Sequence, residues 1–489
     1  MTHFDWLEKW ALYTPDKVVF REHKRDLEWS YRIFNNRVSN LAVYLRDELK
    51  VKKGDRVAVY SKNRAEYVFL FFACIKIGAI LVPLNFRLTA AETKILFEDA
   101  EPHVLFYENE FTAQVQDFNK TKIEIDNLEK FLTNSFDSSE ISTSHITEND
   151  VVMILYTSGT TGVPKGAMIT HKMLYWNSIN TALRLDLTSA DHTQSYAPLF
   201  HTGGWNVLLT PFIHHGASHT ILTEFDTDLI LRLIEKEKST ILFGVPTMMQ
   251  MLADSALFDK IDLSSVRYAV VGGAPMSKPL IDAWHERGVF IRQGYGLTEV
   301  GPNCFSLHHG DAIRKKGSIG FPNFYIDAKV MADSKECTAN EIGELWLKSP
   351  VVTPGYWRNP EASKQAITDD WFHTGDIVRF DEEGYYYVVD RKKNMFISGG
   401  ENVYPAEVEK FLYTHTNIKE VAVLGVPDEK WGEVGKAFVV LKEGSDFDEN
   451  TMMDFCKGSL AKFKIPKHVK LIEELPKNAA GKIDRLKLK

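Results

Sequence analysis

Residues 156–166, YTSGTTGVPKG, follow directly on the apolar run 151–155 and therefore lie at the end of a predicted strand. Phosphate-binding loops are built at such strand ends, where glycines let the backbone approach a polyphosphate and hydroxyls and a lysine add contacts. Because Lys165 is followed by Gly166 rather than by Ser or Thr, the stretch is not a Walker loop. It predicts triphosphate binding, although a ligand-free Ser/Thr/Gly hairpin has a similar composition. The candidate contacts are Thr157, Ser158, Gly159, Thr160, Thr161, Gly162 and Lys165.

On both sides of this stretch, short apolar runs alternate with amphipathic segments. RVAVYS, VVMILYT, TILFGVP and YAVVGG are typical of buried strands, and DLILRLIEKEK is typical of a helix packed against them. The alternation predicts an α/β protein with largely parallel strands. After about residue 340 the chain becomes aromatic and rich in Gly and Pro, which indicates a β-rich subdomain. From Asn394 onward a small α+β domain is predicted, with the boundary near residues 391–393.

The composition indicates a globular cytoplasmic enzyme. The 489 residues carry a net charge of -8, so the chain has no general basic field that would attract nucleic acid. Its four cysteines lie far apart without a CxxC pair, which argues against a structural zinc site and a disulfide framework. The N-terminus lacks the layout of a signal peptide. Residues 67–84 are apolar, but Lys76 and Gly78 interrupt them, so we predict a buried helix followed by a buried strand and no integral membrane segment.

Tyr295 and Glu299, which follow the glycine-rich stretch much later in the chain, have side chains that suit nucleotide binding. Tyr295 lies between Gly294 and Gly296, where a ring can stack on a purine, although a core tyrosine in a tight turn is the alternative. A carboxylate beside a triphosphate is costly unless a cation lies between them. Glu299 therefore implies Mg²⁺, which prefers carboxylate and phosphate oxygens.

Three charged residues nearer the C-terminus fit the sugar and the phosphate. Asp376 is a short acceptor suited to two ribose hydroxyls, and Arg391 is a fixed cation that could hold the ribose or the α-phosphate. Lys482 lies in a polar loop close to the end of the chain. Taken alone, each of the three is an ordinary surface charge.

Five further segments, in chain order, resemble the motifs of one family. They are GGAP (272–275), QGYGLTE (293–299), HTGD (373–376), DRKKNMFISGGENVYPAEVE (390–409) and PKNAAGK (476–482). Together with YTSGTTGVPKG they resemble the adenylate-forming superfamily, which includes acyl-CoA synthetases, luciferases and peptide-synthetase adenylation domains. The resemblance implies a large N-terminal AMP-binding domain, residues 1–392, with parallel-rich sheets, helices and a distorted β-barrel subdomain. A small mobile α+β domain, residues 393–489, would follow a hinge near Lys393.

The family's chemistry implies an ATP-dependent acid–CoA ligase. The acid attacks the α-phosphorus of ATP, pyrophosphate leaves, and coenzyme A then takes the acyl group, so catalysis consists of positioning and charge neutralisation. By resemblance, Lys482 contacts the α-phosphate, Thr157 and Glu299 hold Mg²⁺, and His201 borders the acid. The adenine segment would comprise Gly273, Ala274, Pro275, Gln293, Gly294, Tyr295, Gly296 and Thr298. Asp376 would bind the ribose, and Arg391 would hold the ribose or the α-phosphate.

The resemblance also implies a second arrangement for thioester formation, reached by rotation about Lys393. Gly399 and Gly400 would then line the pantetheine tunnel. Trp431 would stack on the nucleotide of coenzyme A, with Phe463 and Lys467 nearby. A packed tryptophan beside an exposed basic loop is the alternative.

The segment APLFHTGGWN resembles the family's acid-binding motif. It places His201, Thr202, Gly203 and Trp205 beside the acid, together with Gly272. Some long-chain relatives carry a gating tryptophan at the position of Trp205, which favours a medium- to long-chain fatty acid. An aryl or o-succinylbenzoate CoA ligase and an enzyme that loads a carrier-protein thiol are the alternatives. The expected partners are a small-molecule carboxylic acid, ATP and CoA, and the sequence permits a homodimer.

Overall fold

The computed structural model describes residues 5–133, 141, 145–157, 164–274, 276–398, 401–457, 459–477 and 482–488. The chain divides into two compact units. The first comprises Met1–Ala328 and Leu347–Phe372, and the second comprises Lys329–Trp346 and His373–Lys489. The second unit thus joins the predicted α+β domain to part of the β-rich segment before it. We also predicted that a mobile C-terminal domain begins at residue 393, with a hinge near Lys393, and this stays a prediction.

Helices and strands alternate through the first unit. Its helices are α1 (Trp6–Tyr13), α2 (Tyr31–Val43), α3 (Ala65–Ile77), α4 (Ala90–Ala100), α5 (Thr112–Val115), α6 (Glu129–Leu132), α7 (His171–Leu185), α8 (Leu209–His214), α9 (Thr227–Glu237), α10 (Pro246–Ala253), α11 (Lys278–Glu286) and α12 (Pro360–Ala366). Its strands are β1 (Val18–Glu22), β2 (Leu27–Ser30), β3 (Arg56–Tyr60), β4 (Ile80–Pro83), β5 (Val104–Tyr107), β6 (Thr121–Glu124), β7 (Val151–Thr157), β8 (Lys165–Thr170), β9 (His192–Ser195), β10 (Ser218–Ile221), β11 (Ile241–Gly244), β12 (Tyr268–Val271), β13 (Phe290–Tyr295), β14 (Phe305–Ser306), β15 (Phe321–Pro322) and β19 (Ile367–Thr368).

Parallel pairing dominates the sheets of this unit and confirms the α/β prediction. The sheet β6-β5-β3-β4-β7-β8 is parallel up to its final antiparallel pair, β7 with β8. The sheet β11-β12-β13-β14-β15 begins with parallel strands, and β1-β10-β9 are parallel within the sheet that β2 completes. Ligands of such sheets bind at the carboxyl ends of the strands. Thr157, Gly272 and Tyr295 lie at these ends of β7, β12 and β13.

The second unit contains most of the remaining elements. These are β16 (Asp327–Ala332), β17 (Lys335–Glu336), β18 (Gly343–Lys348), β20 (Trp371–Phe380), β21 (Tyr386–Arg391), β22 (Phe396–Ser398), β23 (Glu401–Val403), α13 (Pro405–Leu412), β24 (Ile418–Asp428), β25 (Gly432–Leu441), α14 (Glu449–Cys456) and β26 (His468–Leu471). The β-rich segment forms the sheet β17-β16-β18-β20, to which β21 is paired. The fold includes a curled half-barrel sheet, as the expected β-barrel subdomain implied. The sheet β23-β22-β25-β24, with β26 on β25, packs against α13 and α14, as the α+β pattern predicted.

The predicted buried helix and strand at residues 67–84 are confirmed as α3 and β4. All 13 residues of α3 are buried, and the helix ends at Gly78, whose φ of 72° is the left-handed conformation that glycine adopts without strain. Buried Lys76 forms an ion pair with the buried Asp5 side chain. Among the helices of the described ranges, none combines the length and the apolar character that crossing a bilayer requires.

Candidate active site

Strands β7 and β8 form the stem of the glycine-rich loop. Thr157 pairs with Lys165 and Tyr156 with Gly166, and the Thr157 hydroxyl lies 3.4 Å from the Lys165 carbonyl oxygen. A Cβ atom on Gly166 would lie 2.7 Å from Ile154 Cγ2, so glycine is required for this strand to lie against its neighbour. Thr157 and Lys165 are thus held at the two ends of the loop. Ser158, Gly159, Thr160, Thr161 and Gly162 lie outside the described residues.

Tyr356 connects Lys165 to Glu299, a role that no sequence motif indicated. Lys165 Nζ lies 5.2 Å from the centroid of the Tyr356 ring, and the Tyr356 hydroxyl donates to Glu299 Oε1 at 3.1 Å. Burial and the charge of Glu299 raise the pKa of Tyr356, so the phenol stays a donor at neutral pH. Its position in the run PGYW indicated only a turn.

Glu299 lies in a short 3₁₀ turn, Thr298–Val300. It is 9% exposed, and its carbonyl oxygen accepts a hydrogen bond from the Thr353 amide at 2.7 Å. A buried carboxylate that accepts from a tyrosine hydroxyl offers the hard anionic oxygen that Mg²⁺ binds. Among the described residues, no group of three or more His, Cys, Asp or Glu side chains could hold a metal ion. A Mg²⁺ ion here would therefore take most of its ligands from phosphate and water, as this ion commonly does.

The two segments assigned to adenine meet at the ends of β12 and β13. The Gln293 amide donates to the carbonyl oxygens of Val271 and Ala274, at 3.0 and 3.2 Å, and accepts from the Met276 amide. These hydrogen bonds from Gln293 connect the turn that contains Gly272, Gly273 and Ala274 to β13. Pro275 lies outside the described residues.

Tyr295 and Gly296 follow at the end of β13. The half-buried Tyr295 ring packs edge-on against Phe305, with centroids 5.6 Å apart, and the Tyr295 carbonyl oxygen accepts from the Cys304 amide. A Cβ atom on Gly296 would lie 2.3 Å from the carbonyl carbon of Pro302. Only glycine therefore allows the chain to turn towards Thr298 and Glu299 at this point.

The segment assigned to the acid leads into a short π-helix, Gly203–Val207. His201 and Thr202 are half-buried, and the Thr202 hydroxyl accepts from the Asn206 side-chain amide at 3.2 Å. A Cβ atom on Gly203 would meet the Phe243 ring at 3.4 Å. Gly203 also borders a small cavity, together with Ser195, Leu208 and Phe243.

Trp205 lies in the hydrophobic core of the first unit. It is 0% exposed, its ring packs against Tyr67 and Phe71 at 5.7 and 4.7 Å, and its indole N–H donates to the Leu199 carbonyl oxygen. In this arrangement Trp205 is a packing residue. Its gating role stays a prediction.

In the second unit, the ribose candidates are brought together. Asp376 and Arg391 are partners in the β20–β21 pair, and Arg391 Nε lies 2.5 Å from Asp376 Oδ1. Asp376 is 1% exposed, whereas Arg391 keeps much of its side chain accessible. The ion pair fixes the carboxylate at the strand edge.

Lys482 belongs to the same electrostatic cluster. Although its side chain reaches solvent, desolvation lowers its pKa, with the positive charges of Arg391 and Lys393 adding to this effect and Asp376 opposing it. Desolvation and Arg391 likewise lower the pKa of Lys393. Three cations around one carboxylate leave an excess of positive charge, which an anionic phosphate would neutralise.

The candidates for the coenzyme A nucleotide also lie together. Lys467 Nζ is 4.9 Å and Lys430 Nζ 5.3 Å from the centroid of the half-buried Trp431 ring. The Trp431 amide donates to Asp428 at 2.9 Å, which fixes the turn that carries the ring. Phe463 packs against the core of this domain, and Gly399 and Gly400 lie outside the described residues.

Comparisons with known proteins agree with this geometry. Residues 7–357 match the family model of AMP-binding enzymes, and residues 407–482 match the model of the AMP-binding enzyme C-terminal domain. A feruloyl-CoA synthase of an Amycolatopsis species is 38% identical, over 98% of this chain and 96% of the relative. A long-chain-fatty-acid–CoA ligase of Mycobacterium tuberculosis is 33% identical, over 99% and 97%.

Solved structures show the same similarity. The o-succinylbenzoate CoA synthetase of Bacillus subtilis in complex with its acyl-adenylate intermediate superimposes with a TM-score of 0.90 at 31% identity, covering 99% of this chain and 98% of the other. The same enzyme in complex with ATP and a magnesium ion gives a TM-score of 0.89 at 30% identity, covering 98% of each chain.

Proposed function

Since the chain belongs to the AMP-binding enzyme family and is an ATP-dependent acid–CoA ligase, we propose that it activates an aromatic carboxylic acid. The choice of an aromatic acid rests on the similar proteins that the comparisons name, because the expectation of a fatty acid depended on Trp205 as a gate and that role is untested. The feruloyl and o-succinylbenzoate relatives, both named for aromatic acids, support it. A medium- to long-chain fatty acid is the second candidate, favoured by the similarity to the long-chain ligase.

For adenylation, we assign the triphosphate to the ends of β7 and β8, where Thr157 and Lys165 would contact it. Glu299 and Thr157 would hold Mg²⁺, which when bound neutralises phosphate charge and orients the triphosphate for in-line attack. Tyr356 holds Glu299 in place through the hydrogen bond of 3.1 Å. Gly273, Ala274 and Tyr295 would surround the adenine.

The remaining roles follow from the cationic cluster. Asp376 would bind the ribose hydroxyls, while Arg391 and Lys482 would stabilise the charge on the α-phosphate as the acid attacks it. The acid itself would lie beside Thr202, Gly203 and Gly272, with His201 at its carboxylate end. For the thioester step, rotation about Lys393 would exchange the Lys482 segment for the one that contains Gly399 and Gly400. Trp431 and Lys467 would then contact the nucleotide of coenzyme A.

An acid panel tests this proposal. Pyrophosphate, AMP and acyl-CoA are measured with Mg²⁺-ATP and aryl-propenoic, aryl-acetic, o-succinylbenzoic, and medium- and long-chain fatty acids, each with and without CoA. We expect the highest kcat/KM with an aromatic acid, and AMP formation that consumes CoA. Preference for a fatty acid would overturn the choice of acid. Pyrophosphate exchange without use of CoA would instead identify an enzyme that loads a carrier-protein thiol.

A further inference from the structure

Asp390 makes an unusual set of contacts next to the proposed hinge. It lies near the end of β21 and is 5% exposed. Its Oδ1 accepts from the Arg391 amide at 2.6 Å and from the Asn394 side-chain amide at 3.0 Å, and its Oδ2 accepts from the Ala406 amide at 2.7 Å. One carboxylate thus connects β21 to the start of α13.

The contact with Ala406 replaces a missing helix cap. The N-cap residue of α13, Tyr404, makes no side-chain cap hydrogen bond. The amides in the first turn of a helix have no partner within the helix, and a negative charge at this end is favourable. Asp390 supplies both the acceptor and the charge from a different strand.

A second buried carboxylate connects α13 to the segment of Lys482. Glu409, on α13, accepts from Arg485 Nη2 at 2.7 and 2.9 Å, and Arg485 Nη1 donates to the Val423 carbonyl oxygen at 2.6 Å. Arg485 is only three residues beyond Lys482. The position of Lys482 is therefore tied to the position of α13.

The two connections differ in how they relate to Lys393. Glu409, Val423 and Arg485 all follow Lys393 in the chain, so they move together when the residues beyond it rotate. Asp390 precedes Lys393, whereas Ala406 follows it. Rotation about Lys393 therefore breaks the contact between Asp390 and Ala406 and leaves the pair of Glu409 and Arg485 intact.

We propose that Asp390 is a positioning residue: its hydrogen bond with the Ala406 amide, called the latch below, holds α13, and with it Lys482, in the arrangement for adenylation. Asn394 keeps this hydrogen bond in place by donating to Asp390. The inference rests on the proposed roles of Lys393 and Lys482. An aspartate at position 394 has no amide to donate and brings a second carboxylate to the same oxygen. Release of the latch is then part of the change to the thioester-forming arrangement.

The test compares the two half-reactions in Asn394→Asp. Adenylation is measured as acid-dependent exchange of pyrophosphate into ATP, and thioester formation as consumption of a synthetic acyl-adenylate by CoA. We expect adenylation to fall roughly tenfold, which corresponds to one charge-assisted hydrogen bond, while thioester formation stays unchanged or becomes faster. The matched control is Asn417→Asp, because Asn417 donates to the Asp446 carbonyl oxygen away from the hinge. It should change neither half-reaction.

A second variant and a second measurement separate the outcomes. In Asp390→Asn with Asn394→Asp, the new amide nitrogen can donate to position 394 while the remaining oxygen still accepts from Ala406, but the Arg391 amide loses its acceptor and α13 loses a charge. We therefore expect part of the adenylation rate to return. Hydrogen exchange at the Ala406 amide should be faster in Asn394→Asp and slow again in the double variant. Equal losses in both half-reactions, or an unchanged rate of exchange at Ala406, would overturn the latch. If the unaltered protein forms no acyl-adenylate with any acid while Ala406 exchange responds as expected, the proposed function fails and the contact stands.

Discussion

Lys482 is the side chain on which adenylation should depend most. Its ammonium lies among Arg391, Lys393 and Asp376, where a phosphate would complete the charge balance. We expect Lys482→Ala to slow acid-dependent pyrophosphate release by roughly 100-fold or more, comparable to the loss of one oxyanion-hole donor. Thioester formation from a synthetic acyl-adenylate should continue at its normal rate, and Lys482→Arg should retain part of the adenylation rate. Unimpaired pyrophosphate release in the alanine variant would remove Lys482 from the mechanism.

The roles of Glu299 and Tyr356 can be distinguished by two substitutions that each nearly keep the size of the side chain. Glu299→Gln removes the anionic oxygen proposed for Mg²⁺ but keeps an acceptor for the Tyr356 hydroxyl. Tyr356→Phe removes the donor that lies 3.1 Å from Glu299 and keeps the carboxylate. We expect Glu299→Gln to raise the Mg²⁺ concentration for half-maximal adenylation by roughly tenfold or more, and Tyr356→Phe to change it much less. Titration of Mg²⁺ at saturating ATP measures both. Equal shifts would assign Glu299 a structural role only.

At the scale of single elements, the buried ion pair of Lys76 and Asp5 attaches α1 to α3. Asp5 also caps α1, because its carboxylate accepts from the Glu8 amide at 3.0 Å. Both side chains are buried, at 5% and 4% exposure. Lys76→Met leaves the Asp5 charge buried without its cation, and we expect it to lower the free energy of unfolding by about 3 kcal/mol. Urea unfolding followed by tryptophan fluorescence measures the change.

The double variant Asp5→Asn with Lys76→Met is the control for this prediction. Asparagine keeps the cap and removes the buried charge, so most of the lost stability should return. A double variant as unstable as Lys76→Met would show that packing of the lysine stem, rather than the charge, is what α3 requires.

The elements themselves were largely predictable, because their signals are local. Lys76 and Gly78 marked the end of α3, and the alternation of apolar runs predicted the parallel strands that the first unit contains. The division into units was less predictable. Strands of the β-rich segment lie with the C-terminal residues in the second unit, and long-range strand pairing of this kind leaves no pattern in the sequence.

The residues of the candidate site were also predictable only in part. The glycine-rich stretch indicated Thr157 and carboxylate chemistry indicated Glu299, whereas Asp376 and Lys482 were assigned through the resemblance to the family's motifs. Tyr356 was missed because it acts on Glu299 across 57 residues of chain, and no spacing rule connects the two. Asp390 and Arg485 were likewise not assigned these contacts, since an acid and an arginine acquire such roles only from what packs beside them.

At the scale of the whole molecule, we expect buried histidines to determine how the free energy of unfolding changes as the pH falls. Burial lowers the pKa of His171 to about 4 and the pKa values of His214 and His219 to about 3. His214 stacks on Trp6 with ring centroids 4.2 Å apart, and its Nδ1 lies 2.9 Å from the Ser178 hydroxyl. In the unfolded chain each imidazole has an ordinary pKa of about 6.5 and takes up a proton that the folded chain excludes.

This difference fixes the sign and the window of the pH dependence. Above pH about 6.5 the histidines are neutral in both states and contribute nothing, and below it the unfolded state binds more protons, so the free energy of unfolding falls as the pH drops towards 4. Each fully titrating histidine contributes up to about 1.4 kcal/mol per pH unit. Urea unfolding at several pH values between 7.5 and 5 gives the slope of the free energy of unfolding against pH. This slope reports how many more protons the unfolded state binds than the folded state. We expect His214→Gln, which cannot titrate, to lower overall stability by losing the stack on Trp6 and also to reduce the slope by about one proton. A variant that lowers stability but leaves the slope unchanged would mean that His214 is already protonated in the folded chain, and that its contacts with Trp6 and Ser178 do not exclude the charge.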